Sequence, residues 1–166
     1  EKKFAPRADF VRDAGVLFHV HGLERIWPSS VECQIQEGDT GDIWAIDTQV
    51  TSTVQPTIRN FAPAPGGKPE TRGDKPRGFA RFHRSYCHEV PGWNQLELTV
   101  DGDRASYRVN GELVNEATGM KRWDEAAQAW RPLTNGFILL QAEGAEVFYR
   151  NVRLAPLPAS SRPATN

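Results

Sequence analysis

Apolar and polar residues alternate with a period of two over much of the chain, the pattern of strands that bury one face. In 14–22, Val16, Phe18 and Val20 share one face, while Leu17, His19 and His21 share the other. In 31–37, Val31, Cys33 and Ile35 alternate with Glu32, Gln34 and Gln36. The run 42–50 continues the pattern, with Ile43, Ala45 and Asp47 opposite Trp44 and Ile46. Further on, 93–100 turns Leu96, Leu98 and Val100 inward, and 104–109 turns Ala105, Tyr107 and Val109 inward. Asp101-Gly102 separates these two runs, and Asn110-Gly111 separates the second from 112–115. Both dipeptides predict hairpin turns of type I′, whose two central residues need positive φ. A last pair of strands, 136–143 and 146–154, is expected to turn at Gly144.

Three stretches read differently. Over 120–130, Met120, Trp123, Ala127 and Trp130 fall near helical spacing, and Pro132 would end a short surface helix. The segment 62–78 is dense in Pro, Gly and charge and predicts a long connecting loop. The Pro/Ser/Ala run 156–166 reads as a flexible tail outside a domain spanning 1–155, and 1–13 reads as the end of a loop between strands. Many short alternating strands punctuated by turns predict an all-β sandwich of two antiparallel sheets with one short helix.

Composition narrows the partners. The chain has 166 residues, with 14 Gly, 12 Pro, five Trp and eight Phe, which suits a turn-rich β domain. Charged residues make up 25% and the net charge is −1, which argues against wholesale disorder and denies nucleic acid the positive field it needs. The longest apolar run, 136–140, is strand length, far short of the roughly 18 residues of a helical membrane span. The sequence opens on Glu1-Lys2-Lys3 without Met, so the lack of a visible signal peptide decides nothing about export. Cys33 and Cys87 are too few for a disulfide scaffold or a cysteine zinc site, and both read as free core thiols.

Candidate chemistry lies on the polar strand face. His19, His21, Glu32, Gln34, Gln36, Gln141 and Glu143 replace the Lys, Thr and Ser of an ordinary solvated face, and Phe137 and Leu139 share a face with the last two. Carboxylates, amides and imidazoles among aromatics suit a sugar groove, because hydroxyls need donors and acceptors while pyranose faces need flat apolar partners. The alternative is a merely solvated sheet face. Trp27, before Pro28, lies beside these strands, and Trp44 suits either the core or a stacking role. Trp123 and Trp130 read as the buried face of the short helix. His19 and His21 with Glu32 could hold a divalent metal; otherwise the histidines are hydrogen-bonding groove residues. Glu32 and Glu143 could form a paired-carboxylate acid/base site if their strands meet. No Gly-rich phosphate loop and no G-x-S-x-G elbow is present.

Six stretches in order resemble the bacterial 3-keto-disaccharide hydrolase domain family. They are A-G-V-L-F-H-V-H-G (14–22), W-P-S-S-V-E-C-Q-I-Q-E-G (27–38), G-D-I-W-A-I (41–46), G-W-N-Q-L-E-L-T-V (92–100), Y-R-V-N-G (107–111), and G-F-I-L-L-Q-A-E-G (136–144) followed by Y-R-N-V-R-L (149–154). The resemblance implies a concanavalin A-like jelly roll, similar to glycoside hydrolase family 16. It also implies cleavage of 3-keto-glycosides by C2 deprotonation and loss of the C1 substituent. Glu32, Gln34, Gln141 and Glu143 match the family's groove motifs, and His19 or His21 stands where many members carry an arginine. His19, Glu32 and Glu143 are therefore the expected catalytic residues. Gln34, Gln36, Gln141, His21, Trp27 and Trp44 are the expected substrate contacts. Asp13-Ala14-Gly15 replaces the family's Asn-Ser-Gly, and Ala142-Glu143-Gly144 replaces the Asp-His-Gly of some members. Family domains also carry strands before this point, so an upstream segment or a second chain is expected to cover the sheet edge. Two functions follow: a periplasmic or secreted hydrolase or lyase acting on 3-keto-glycosides, or a non-catalytic, lectin-like glycan-binding module on the same sandwich.

Overall fold

The computed structural model describes residues 12–22, 25–74, 77–143 and 145–158. Among the described residues, eleven strands form two antiparallel sheets: β1 (Asp13–His21), β2 (Ser29–Gln34), β3 (Ile43–Ile46), β4 (Thr48–Val54), β5 (Lys68–Arg72), β6 (Phe79–Phe82), β7 (Leu96–Asp101), β8 (Arg104–Val109), β9 (Glu112–Asp124), β10 (Ala129–Pro132) and β11 (Phe137–Glu143). The first sheet has the order β11-β1-β2-β3-β6. The second has the order β5-β4-β9-β8-β7, with β10 added beside β9. This is the expected all-β sandwich. No helix among the described residues is long and apolar enough to cross a membrane.

Alternation builds the core. Phe18, Val31, Cys33, Ile43, Ala45 and Phe82 from the first sheet meet Val50, Tyr107, Val109, Val114 and Met120 from the second. Leu96, Leu98 and Val100 pack against them as the pattern requires. Buried polar groups cross the layer with partners. Tyr107 Oη donates to the Glu32 carbonyl at 3.3 Å, and Asn115 Nδ2 donates to the Gly41 carbonyl at 3.2 Å. Such pairing is what makes a buried polar group tolerable.

Several elements depart from the sequence pattern. The run 42–50 is not one strand. Asp47 takes φ 52° and bonds through its amide to the Gly78 carbonyl at 2.8 Å, so β3 ends in one sheet and β4 starts in the other. The expected helix over 120–130 is the β9–β10 hairpin. Trp123 and Trp130 are cross-strand partners whose rings meet at 5.5 Å and 72°. Asp124 Oδ1 accepts from the amides of Ala126 and Ala127, which turns the chain. Seven residues separate two strand partners as readily as two helical turns, so the spacing did not discriminate. Within the expected loop 62–78, β5 pairs with β4 from Val50↔Arg72 to Val54↔Lys68. The expected strand 146–154 pairs with nothing in the described sheets.

Asn110 and Gly111 take φ 52° and 88°, as a type I′ turn demands. The turn before β8 instead uses Gly102 and Asp103 between the paired Asp101 and Arg104, with positive φ at Gly102. Cys33 is buried as expected, whereas Cys87 is exposed on the loop after β6. The Gly144 turn, most of the 1–13 loop and most of the 156–166 tail lie outside the described residues.

Candidate active site

The first sheet packs one face on the second sheet and turns the other outward. Strand register arranges that outer face in rows. One row runs Leu139, Leu17, Glu32, Trp44, Arg81 across all five strands. On one side lie Gln141, Gly15 and Gln34, then Glu143 with Asp13. On the other side lie Ser30, Ile46 and Phe79. A cleft of about 410 Å³ runs along these rows, lined by Asp13, Trp27, Glu32, Gln34, Trp44, Arg81 and their neighbours. Polar groups therefore occupy one end, aromatic and aliphatic groups the other, and Glu32 stands where they meet.

Glu32 is 4% exposed, yet no hydrogen bond reaches its carboxyl among the described residues. Burial, reinforced by Asp13 and Glu143 and opposed by Arg81, pushes that carboxyl up to about 8. Burial raises Asp13 and Glu143 as well. Asp13 accepts from Gln34 Nε2, and from Gln36 Nε2 at 3.2 Å, which ties the polar rows together. Gln141 Nε2 donates to Glu143 at 3.2 Å, while its buried Oε1 has no hydrogen-bond partner among the described residues.

Gly15 makes this crowding possible. A Cβ there would collide with Glu32 Oε1 and stand 2.8 Å from its Cδ and 2.9 Å from Gln141 Oε1. The Glu32 carboxyl thus lies over bare backbone of the neighbouring strand. Tyr149 fixes that backbone: its hydroxyl donates to the carbonyls of Gln141 (2.6 Å) and Gly15 (3.4 Å). Burial, then the nearby Glu32, raises the Tyr149 hydroxyl.

Arg81 is the one cation in the cleft lining among the described residues. Its Nε meets Asp42 at 2.8 Å, its second nitrogen meets Asp39 at 2.7 Å, and its guanidinium lies 5.1 Å over the Trp44 ring. Asp39 and Asp42 also bind the buried Arg84, and Asp42 binds His83 Nδ1 at 2.8 Å. Donor atoms of Asp39, Asp42 and His83 lie within 4.8 Å of one another. Two guanidiniums already neutralise these two carboxylates, so the donor set is that of an ion-pair network rather than a metal centre.

The structure brings together Glu32, Glu143, Gln34, Gln36, Gln141, Trp27 and Trp44 of the expected residues. It takes both histidines elsewhere. The β1 register shifts between Leu17 and Val20, and His19 sits in that irregularity at φ 52°. Its Nε2 bonds to the Gly102 carbonyl at 2.8 Å, in the β7–β8 turn of the second sheet, and burial lowers its pKa. Val20 takes the outer-face place and packs with Leu17 and Ile46. His21 Nε2 bonds to the Asn135 carbonyl at 2.9 Å. Among the described residues, His19, His21 and Glu32 do not form a metal-binding group.

Sequence reasoning missed Asp13, Gly15, Arg81 and Phe79. Alternation in 79–82 marks Phe79 and Arg81 as sharing one face of a strand, a signal present but hidden behind the loop reading of the preceding segment.

The model of the 3-keto-alpha-glucoside-1,2-lyase-like domain matches residues 1–155. The chain belongs to this family. Its function is accordingly carbohydrate-related, and the cleft just described carries the carboxyl, amide and aromatic groups that sugars need. No curated protein and no solved structure shows significant similarity to the chain.

Proposed function

We propose that this protein cleaves glycosides already oxidised to a ketone at C3, with Glu32 as the base. The observation that carries this reading is the Glu32 carboxyl, nearly buried, lining the cleft and without a hydrogen bond of its own among the described residues. A binding module is served by ordinary solvated carboxylates, whereas a base gains strength from a carboxyl that burial holds above its usual range.

A ketone at C3 acidifies the C2 hydrogen. Glu32 takes that proton, and the C–H electron pair moves into the C2–C3 bond, leaving an enolate at O3. Arg81, on the same row of the sheet, offers that oxygen a guanidinium N–H donor. The enolate then re-forms the ketone, a C1–C2 double bond appears, and the C1 substituent departs. Glu32 hands its proton to the leaving oxygen. The products are an unsaturated 3-keto sugar and a free alcohol. Addition of water at C1, with a proton restored to C2, completes a net hydrolysis. Asp13, Gln34, Gln141 and Glu143 hold the sugar hydroxyls. A carboxylate that titrates near 8 is a far stronger base than an ordinary glutamate, and its ionised form builds up as pH rises through that value.

The test is turnover of a 3-keto-disaccharide by the wild type and by Glu32→Gln, with and without EDTA. The expected result is release of free sugar, unaffected by EDTA and reduced on the order of 10³-fold by the substitution, the scale of general-base catalysis. Loss on EDTA would assign the electrophile's part to a metal instead of Arg81. Saturable binding of unoxidised glycan without any turnover would make the domain a lectin-like module.

A further inference from the structure

The cleft is polarised along the strands, and that asymmetry bears on what the leaving group is. Its polar end presents Asp13, Gln34 and Glu143, all acceptors or donors suited to hydroxyls. Its other end presents Trp27, Ile46 and Phe79. The Trp27 and Phe79 rings meet edge to face at 6.5 Å and 86°, forming two walls of an apolar corner. Ile46, 1% exposed, is its floor, backed by Leu17 and Val20. Phe79 is 61% exposed, although a Phe that only completed a core would be covered. The residue's ring therefore has an open face toward the cleft.

Glu32 lies on the row between the two ends. In the elimination, the proton leaves C2 and the substituent leaves the adjacent C1. With the base over C2, the ring and the departing group extend to opposite sides of Glu32. A ring rich in hydroxyls matches the polar end, so the departing group falls on the aromatic corner.

Resting on the 3-keto-glycoside reading, we infer that the Trp27–Ile46–Phe79 corner is the leaving-group subsite and selects apolar, above all aromatic, aglycones. Edge-to-face and stacked contacts with a planar aglycone reward it in a way that a hydrated alkyl alcohol cannot match. The three side chains of the corner themselves offer a charged aglycone no partner.

Phenyl and methyl 3-keto-glucosides, in both anomers, test this inference. Dissociation constants are measured on Glu32→Gln, which binds without turning over, and on the same variant carrying Phe79→Ala. Phe79 is exposed enough for its truncation to leave the fold intact, and a thermal melt checks this. The expected result is that one phenyl anomer binds at least about tenfold tighter than its methyl counterpart. Phe79→Ala should erase most of that difference while leaving the methyl compound unchanged. Equal affinities, a preference that survives Phe79→Ala, or no binding of either compound would overturn the subsite. Equal loss of both compounds on Phe79→Ala would overturn it too, since the sugar ring itself would then occupy the corner. Wild-type turnover separates the two readings: a phenyl preference in a protein that cleaves neither compound keeps the subsite and removes the reaction.

Discussion

Gly15 is the residue on which the placement of the Glu32 carboxyl, the proposed base, depends. Its missing side chain leaves room for the Glu32 carboxyl over β1, and any Cβ would force that carboxyl and the Gln141 amide to move together. Gly15→Ala is therefore expected to lower turnover by about 10²-fold, the cost of a misplacement near 1 Å. The overpacking should cost only about 1–3 kcal/mol of stability. Kinetics beside urea unfolding check this, and a variant that keeps full turnover would show that Glu32 has slack. Which residues line the cleft was readable from alternation wherever the strand was regular. Glu32, Gln34 and Glu143 line the cleft, and Gln141 lies beside it on the same face, because β2 and β11 keep their period of two. His19 leaves that face because one irregular residue in β1 reverses every side chain after it, a local backbone event that parity cannot register.

At the scale of elements, the β9–β10 hairpin is a satellite of the fold. Trp123 and Trp130 clasp each other across its two strands, and its partner strands lie in the second sheet, away from the cleft. Trp130→Ala should cost about 1 kcal/mol, the worth of an aromatic pair, and leave turnover unchanged. Melting curves with activity assays test this, and a loss of turnover would tie the hairpin to the site. This element was misread because aromatic residues seven apart suit both a helix and a tight hairpin; the deciding feature, the Asp124 side chain that turns the chain, acts only once the strands have met. The short β5 was hidden for a related reason. Its Lys-Pro-Glu-Thr-Arg sequence carries no apolar alternation, and β4 recruits it by backbone pairing and a Thr51–Thr71 hydroxyl contact at 2.6 Å.

At the scale of the whole molecule, buried acidity sets the response to pH. Folding raises the Glu32 carboxyl from 4.5 to about 8, so between those values the folded chain binds more protons than the unfolded one. Stability from this group is complete below about 4.5 and is lost as pH climbs through 8, on the order of 5 kcal/mol in all. Asp13, Asp39 and Glu143, raised by burial as well, act in the same direction. Glu32→Gln, neutral throughout, should flatten the curve of melting temperature against pH and melt above the wild type at alkaline pH. Parallel curves for the two proteins would contradict this. Turnover should move oppositely, rising with pH towards a plateau above about 8 as Glu32 ionises.

Strand β2 has a consequence for how this protein can vary. Val31 and Cys33 point into the interior while Glu32, between them, points into the cleft, and the Glu32 carbonyl is held by Tyr107 from the opposite sheet. A single peptide thickness thus separates reactive chemistry from hydrophobic packing, with no intervening layer to absorb a change. Substitutions that enlarge or shrink the interior beneath β2 will tilt the Glu32 carboxyl, so on the proposed reading gains in thermal robustness there come at the cost of turnover. Adaptation to new substrates has freer scope at the rim, where Phe79 and Trp27 stand clear of that shared wall.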